Sequence, residues 1–286
     1  MKRILLRIAY DGTNYVGWQM QPNGIAIEEI LNSELSALLN EKIVVIGASR
    51  TDSGVHADGN VAVFDTETRI PADKICFALN QRLPSDIVCR ASFEVCPDFH
   101  PRYAECTKTY EYTIYNDVHP NPLKSRYSYF VYMPLDVDAM KRASQYLIGE
   151  HDFASFCSAH AQVKTTVRTV YSIEINADYG EKSENDPSTG RMKQYSAHDI
   201  RIRISGNGFL YNMVRIIVGT LCKVGYHFYP PEHVKEILDG CDRSLAGPKA
   251  PAGGLRLVEI RYINGYGVPS EVTDNTIAKD EWHHNS

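Results

Sequence analysis

Residues 47–64 read GASRTDSGVHADGNVAVF. This segment is polar and rich in glycine, follows the apolar residues 43–46 and ends with the apolar residues 61–64. We expect a strand over residues 43–46 and a second strand over residues 61–64. A tight hairpin needs only two to five residues, so the segment between them is a longer loop. Its glycines allow backbone conformations that other residues resist. A polar loop between two buried strands is a frequent position for binding and catalytic groups.

This loop contains Arg50, Thr51, Asp52 and His56. If the chain is extended, Arg50 points to the same side as Asp52, two residues away. A guanidinium in that position would keep the carboxylate ionised and orient it. An ionised aspartate in a protected cleft acts as a nucleophile or as a general base. The alternative is a structural pair, in which Asp52 caps its own turn and Arg50 pairs with it on the surface. Both interpretations stay open from these residues alone.

His56 and Asp58 could form a metal site together with Asp52. A divalent cation needs about three or more convergent ligands, and the sequence offers no distant partner for these side chains. We therefore predict no metal site at these residues.

The composition is that of a globular protein of 286 residues with 43% hydrophobic residues. No apolar run reaches membrane-spanning length, and Arg7 interrupts any signal-peptide core near the N-terminus. Seven cysteines without a C-x-x-C pair favour reduced thiols over a zinc site or a disulfide framework. These features predict a cytoplasmic protein without a membrane segment.

The net charge of −5 argues at first against a nucleic-acid partner. Residues 178–190 and the tail from 265 to 286 each carry a net charge of −3. The remainder is close to neutral, so a basic face on it is compatible with the composition.

Periodicity predicts two successive β-α-β-β-α-β units. The predicted strands are 2–10, 43–46, 61–64 and 87–95 in the first unit, and 108–115, 127–132, 167–177, 195–205 and 255–263 in the second. The predicted helices are 25–40, 71–82, one beginning after Asp136, 209–224 and 231–239, the last ended by Gly240. We infer an α+β fold of two ferredoxin-like halves, which form a mixed, mainly antiparallel sheet with helices packed on one face. The predicted division is 1–100, 101–264 and a mobile acidic tail over 265–286.

Two further positions carry chemical interest. Tyr110 and Tyr112 alternate along the strand KTYEY, where aromatic side chains either stack a base or belong to the core. Arg215 interrupts an otherwise apolar helix, and a buried arginine needs a partner. A carboxylate from another element, such as Asp52, would provide one. The sequence contains no Walker-type loop, no G-x-G-x-x-G and no G-x-S-x-G.

Taken together, several blocks resemble the bacterial tRNA pseudouridine synthase A family. The blocks are AYDGTNYVGWQ (9–19), SRTDSGVHA (49–57), KTYEY (108–112), HDFASF (151–156) with TTVRTV (165–170), GFLYNMVRIIVG (208–219) and APAGGL (250–255). The departures are Ser49 and Ser53, where the family is expected to have Gly and Ala, and Asn60, where it is expected to have Gln. These leave open a paralogue that modifies other uridines.

The resemblance implies a tRNA pseudouridine synthase that isomerises uridines at positions 38 to 40 of the anticodon stem-loop. It implies that Asp52 is the catalytic aspartate, that Tyr110 contacts the target base and that Arg215 pairs with Asp52. Arg50 and Leu210 complete the expected substrate-binding residues. It also implies a homodimer with basic clefts for tRNA, and neither cofactor nor metal. His56 and Asp58 then belong to the architecture of the loop.

Target uridines must leave the helical stack, and phosphate contacts must offset that cost. The expected contacts are Arg102, Lys108, Lys124, Arg126, Lys164 and Arg168. Two other functions stay open at this point: a non-catalytic RNA-binding protein on the same scaffold, and a metal-assisted hydrolase that uses Asp52, His56 and Asp58.

Overall fold

The computed structural model describes residues 1–158, 164–179, 198–263 and residue 268. The chain divides into two compact units, one formed by residues 1–109 with those from 257 onward, the other by residues 110–256. The predicted division at residue 100 stays a prediction. The expected mobile tail, apart from residue 268, and the 180–190 part of the acidic segment lie outside the described residues.

The first unit has the element order of a ferredoxin-like fold. Its elements are β1 (Lys2–Tyr10), α1 (Ile27–Leu39), β2 (Ile46–Gly47), β3 (His56–Thr66), α2 (Ala72–Asn80) and β4 (Ile87–Val95). A short 3-10 turn, Gly12–Asn14, follows β1. Strand β1 lies between β4 and β3 and is antiparallel to both, and β2 pairs antiparallel with β3. This is the strand order that the β-α-β-β-α-β pattern predicts.

The remaining elements follow in chain order. They are β5 (Cys106–Asn116), β6 (Tyr129–Val131), α3 (Val137–Ser144), β7 (Gly149–Asp152), β8 (Val167–Tyr179), β9 (His198–Gly206), α4 (Met213–Gly225), α5 (His233–Gly240) and β10 (Leu255–Tyr262). In the second unit the strands lie in the order β5-β9-β8-β7. Strand β6 pairs parallel with β5, whereas β8 pairs antiparallel with β7 and β9. The predicted α+β class with a mixed sheet is therefore confirmed.

Three predicted boundaries were wrong for reasons of local geometry. Strand β3 begins at His56 rather than at residue 61, because its polar residues face buried hydrogen-bond partners instead of solvent. Strand β2 is limited to Ile46–Gly47. Helix α4 begins at Met213 rather than at residue 209, since Asn212 has a left-handed backbone (φ 62°) that a helix cannot contain.

The core of each unit contains an element with most of its residues buried. In β1, Leu5 is as buried as its neighbours Ile4 and Leu6, so both faces of this strand are covered rather than one. In α4, every residue except Lys223 is buried. Helix α3 begins as predicted, since Asp136 accepts a hydrogen bond from the N–H of Ala139 (2.8 Å). Within the described residues, every helix is too short or too polar to cross a bilayer.

Candidate active site

The loop over residues 48–55, called the Asp52 loop below, is fixed by backbone hydrogen bonds to the segment that follows β1. The N–H of Trp18 donates to the carbonyl of Thr51 (3.0 Å), and the N–H of Gly54 donates to the carbonyl of Tyr15 (3.3 Å). The N–H of Val55 donates to the carbonyl of Asp52 (3.1 Å) and closes a turn. The side chain of Asp52 is half-buried at this turn. Its carboxylate therefore belongs to a loop whose backbone is held on both sides of it.

Gly17 allows the close approach of this segment to the Asp52 loop. Its φ of +109° is one that side chains disfavour. A Cβ atom here would lie 2.6 Å from the carbonyl oxygen of Thr51 and 3.0 Å from the carbonyl carbon of Asp52. Gly12 is equally restricted, because a Cβ atom there would collide with the carbonyl of Val55. The glycines of the block at residues 9–19 thus have a physical reason, which is contact with the loop backbone.

A buried polar network lies against the same loop. The hydroxyl of Tyr10 and the Oγ1 of Thr51 are 2.7 Å apart, and the Nδ2 of Asn60 donates to the Tyr10 hydroxyl (3.3 Å). The same Nδ2 donates to the carbonyl of Ser49 (3.0 Å), and Asn60 is fully buried. Buried polar groups that satisfy one another in this way hold a single conformation. The network therefore fixes the position of the backbone just before Asp52.

The three residues where the loop departs from the expected family pattern lie in this packing. Asn60 is part of the network just described. Ser49 is buried, and its Oγ has no hydrogen-bond partner among the described residues. The Oγ of Ser53 donates to the carbonyl of Tyr15 (3.3 Å). All three residues belong to the first unit.

His56 and Asp58 lie in β3 and not in the loop, which corrects their assignment to loop architecture. The Nδ1 of buried His56 accepts a hydrogen bond from the N–H of Gly12 (3.1 Å). The same atom lies 3.1 Å from the Oδ1 of Asp11, an approach that counts as an ion pair only if the ring is protonated. In the bond from Gly12, Nδ1 is the acceptor. The described residues contain no cluster of three or more potential metal ligands.

Arg50 lies on the exposed side of the Asp52 loop and forms no ion pair with any described residue. The surface pair between Arg50 and Asp52 is thus not formed, and neither is the alternative in which the Arg50 guanidinium orients the Asp52 carboxylate. The guanidinium is available to an external anion. Asp52 does have a partner within the structure, and that partner is not Arg50.

The expected phosphate contacts separate into different kinds of residue. The Nε of Arg102 donates to the carbonyl of Gly47 (2.9 Å), and the Nζ of Lys108 donates to the carbonyl of Ala48 (3.0 Å). Both cations therefore support the Asp52 loop. The ammonium of Lys124 contacts both oxygens of Asp199 at 2.7 Å and lies over the ring of Tyr115, so its charge is already paired. Arg126 and Lys164 are exposed.

Arg168 is a cation held by backbone carbonyls. Its Nη1 donates to the carbonyls of Thr165 (3.0 Å) and Val167 (2.6 Å). Burial lowers the pKa of this guanidinium, but Arg stays protonated in proteins. Arg168 therefore remains a cation of fixed orientation.

Arg215 is buried in the second unit, with 8% of its surface exposed. Its Nε donates to the carbonyl of Ala250 (2.8 Å), and its Nη1 donates to the Oδ1 of Asn212 (2.9 Å). The N–H of Ala250 in turn donates to the carbonyl of Arg215 (3.1 Å). These two acceptors are neutral, so they orient the guanidinium without cancelling its charge. Arg215 has at least one further interaction.

The supports of Arg215 connect three of the sequence blocks. The Nδ2 of Asn212 donates to the Oγ of Ser158 (2.9 Å), just after the HDFASF block. Gly219 lies so close to the carbonyl of Pro248 that no side chain fits there. The hydroxyl of Tyr112 donates to the carbonyl of Pro251 (2.8 Å). The block at residues 250–255 therefore contacts both α4 and β5.

The two tyrosines of β5 have different environments. Tyr112 is fully buried, and burial raises its pKa well above the usual value, an effect that the nearby Arg215 partly opposes. It is a structural residue. Tyr110 is slightly less buried, with 9% of its surface exposed. Its ring packs edge-on against the ring of Phe209, with the two centroids 5.3 Å apart. Leu210, the next residue after Phe209, is buried.

The predicted site residues belong to both units. Arg50 and Asp52 belong to the first unit, whereas Tyr110, Leu210 and Arg215 belong to the second. The pairing of Arg215 with Asp52 therefore stays a prediction.

Two sets of supporting residues were missed from the sequence. Tyr10 was predicted only as a strand residue, and Asn60 only as a loop residue that departs from the expected family pattern. Neither prediction indicated that the two side chains meet in a buried network. Asn212 was taken as part of α4. An asparagine just before an apolar helical run is a signal for a helix start, and that signal was available.

Comparison with known proteins places these features in one family. The profile of a family described as tRNA pseudouridine synthase matches residues 7–104 and 143–263, which include Arg50, Asp52, Leu210 and Arg215 but not Tyr110. The protein named tRNA pseudouridine synthase A of Brevibacillus brevis is 44% identical over 262 residues, which are 92% of this chain and all of that protein.

Two further relatives have the same extent. A tRNA pseudouridine synthase A of Ruminiclostridium cellulolyticum is 45% identical, and tRNA pseudouridine synthase A 2 of Clostridium perfringens is 44% identical, each over 92% of this chain and its own full length. The chain belongs to the tRNA pseudouridine synthase family.

Proposed function

We propose that this protein isomerises uridine to pseudouridine at positions 38 to 40 of the tRNA anticodon stem-loop, with Asp52 as the catalytic aspartate. One observation carries the proposal beyond family membership. The half-buried carboxylate of Asp52 is at a turn that backbone hydrogen bonds from Trp18, Gly54 and Val55 hold in place. A reacting group held in this way loses little entropy when it meets its substrate.

The reaction breaks the bond between N1 of the base and C1′ of the ribose and forms a bond between C5 and C1′. The proton on C5 is lost, and N1 of the product carries one, so the reaction consumes no co-reactant. Asp52 starts the reaction by attacking the base, by attacking the sugar or by acting on a ribose proton, and these routes stay open. In a later step a residue near C5 removes the proton from C5 or relays it, and we assign this role to Tyr110.

The other assigned residues bind and orient. Arg215 is proposed as the cation that pairs with the catalytic carboxylate, and its hydrogen bonds to Ala250 and Asn212 support that role because they fix the orientation of the guanidinium. Arg50 is proposed to bind a phosphate, since it is exposed and forms no ion pair with a described residue. Leu210 is proposed to line the base site.

A non-catalytic RNA-binding protein on the same scaffold is the main alternative. The half-buried carboxylate of Asp52 would weaken binding of RNA, because it repels the negatively charged phosphates. A rigid loop that presents such a group supports catalysis instead. The proposal also includes a homodimer and a cytoplasmic location, where tRNA is the available substrate. Sedimentation of the full chain at micromolar concentration tests the homodimer.

The experiment uses tRNA that lacks the modification and carries tritium at C5 of its uridines. Release of tritium to water is expected in proportion to the uridines at positions 38 to 40, and replacement of those uridines by cytidine abolishes it. If tritium release is unchanged after that replacement, the assigned positions are wrong and the protein is a paralogue that modifies other uridines. No release from any tRNA contradicts the isomerase. Loss of activity with a chelator would support the metal-assisted hydrolase.

A further inference from the structure

The first unit presents a stacked aromatic pair outside the candidate active site. The rings of His100 and Tyr103 have centroids 4.1 Å apart and planes inclined by 21°. Tyr103 is 83% exposed although its ring stacks on that of His100. One face of its ring is covered by the imidazole. We refer to His100 and Tyr103 as the aromatic platform.

The backbone under the platform is tied into the core. Phe99 is fully buried, and its carbonyl accepts a hydrogen bond from the Nη1 of Arg3 (2.9 Å). The hydroxyl of Tyr262 donates to the carbonyl of Pro101 (3.0 Å). The N–H of Tyr103 donates to the carbonyl of His100 (3.1 Å), which closes the turn. The platform is therefore preorganised, and a ligand that stacks on it does not have to order the chain.

The platform consists of two rings beside a cation, which suits a planar ligand that carries a phosphate. Burial lowers the pKa of His100, and the nearby Arg102 and Arg3 lower it further, so the imidazole is neutral near pH 7. Between the two platform residues lies Arg102, which is exposed and forms no ion pair with any described residue. An aromatic surface next to an available guanidinium is the combination that binds single-stranded nucleic acid.

The platform is connected directly to the Asp52 loop. The Nε of Arg102 donates to the carbonyl of Gly47, the residue just before that loop. Asp52 is five positions after Gly47 in the chain, and five steps span at most about 18 Å even when fully extended. Arg50 lies between them on the same loop. A stem-loop that presents a uridine to Asp52 therefore has neighbouring nucleotides within reach of Tyr103.

We propose that the aromatic platform is a binding site for one unstacked base of the tRNA near the target uridine, which stacks on the exposed face of Tyr103 while Arg102 contacts the adjacent phosphate. This inference rests on the proposed function, because it takes tRNA as the ligand. It adds a subsite that holds the stem-loop open without touching the reacting atoms. The uridine site and the platform then share the cost of unstacking.

The test compares Tyr103→Ala with Tyr103→Phe and with Phe77→Ala. Phe77 is a matched control, since it is an aromatic residue of the same unit that is 65% exposed. Loss of one base–aromatic stack weakens RNA binding by about 5- to 150-fold. Tyr103→Ala is therefore expected to raise the Kd and the KM for tRNA within that range, with kcat unchanged. Tyr103→Phe keeps the ring and is expected to restore binding, and Phe77→Ala is expected to bind as the wild type does.

The stacked nucleotide is identified with stem-loop RNAs in which one base at a time is replaced by an abasic residue. One abasic position is expected to weaken binding to the wild type and to have no effect on Tyr103→Ala. Additive effects at every position, or an unchanged Kd for Tyr103→Ala, would overturn the platform.

Two other outcomes separate the platform from related hypotheses. If Tyr103→Ala sediments as a smaller species than the wild type, Tyr103 contacts a second copy of the chain and the platform proposal is wrong. If the wild type binds the stem-loop but releases no tritium, the isomerase proposal fails, while the abasic series still supports or contradicts the platform by itself.

Discussion

Replacement of Tyr10 by phenylalanine tests whether the buried network positions Asp52. The variant keeps the ring and removes the hydroxyl that contacts the Oγ1 of Thr51 at 2.7 Å and accepts from the Nδ2 of Asn60 at 3.3 Å. Asn60 keeps its bond to the carbonyl of Ser49. The Oγ1 of Thr51 loses its partner among the described residues, and it stays buried.

The expected cost follows from the loss of the hydrogen bond to the buried Oγ1 of Thr51. A buried polar atom left without a hydrogen bond costs about 1–3 kcal/mol of the free energy of unfolding. One such group lowers Tm by roughly 2–4 °C for each kcal/mol in a domain of this size. The effect on catalysis is separate from the effect on stability. A displacement of the Asp52 backbone by about 1 Å is enough to lower kcat up to roughly a hundredfold.

The assay is tritium release at saturating tRNA, together with thermal unfolding of the same preparations. Ser92→Ala is the matched control, since it removes a buried hydroxyl of the same unit that donates to Ala72 and accepts from the N–H of Cys76. We expect a similar loss of stability in both variants and a loss of kcat only in Tyr10→Phe. An unchanged kcat in a measurably destabilised Tyr10→Phe variant would refute the positioning role of the network.

Two further predictions address other parts of the chain. Arg215→Lys keeps the positive charge but lacks the planar guanidinium that reaches Ala250 and Asn212, so we expect kcat to fall by about 10- to 100-fold. A fully active and stable variant would show that Arg215 has no role in the site. In the first unit, a hydrogen bond from Arg3 lowers the pKa of Asp65. The contribution of Asp65 to stability is therefore present above the ordinary carboxyl pKa and is lost as the pH falls through the lowered value. Because the Asp65 side chain is 35% exposed, Asp65→Asn should cost no more than about 1 kcal/mol near pH 7. Urea unfolding measures this difference, and its persistence near pH 2 would contradict the assignment.

Local patterns in the sequence were enough for the regular elements. Strands β1 and β4 have the predicted limits, because each is an apolar run between turn signals. The start of β3 could not be read in this way. His56 is polar, yet it lies inside the strand because the N–H of Gly12 satisfies its buried ring nitrogen. A partner 44 positions away in the chain decides the state of this residue.

The same limit applies to the candidate site. The resemblance singled out Asp52 and Arg215, but the groups that hold them come from distant positions. Tyr10 is 41 positions from Thr51, and the carbonyl that accepts from Arg215 is 35 positions away at Ala250. Periodicity reports which residues share a face of one element. It does not report which side chains meet across elements, so the supports of the site required the structure.

The role of Asp52 is tested most directly by one comparison. Single-turnover tritium release is measured for the wild type, Asp52→Asn and Asp73→Asn, with the Kd for the same tRNA measured in parallel. Asp73 is an exposed carboxylate of the same unit, already paired with Lys74, and its replacement controls for the change in net charge. The proposed mechanism predicts no release from Asp52→Asn, a Kd within about threefold of the wild type because Asp52 supplies no phosphate contact, and full release from Asp73→Asn. Release from Asp52→Asn at the wild-type rate would contradict the assignment of Asp52 as the catalytic residue.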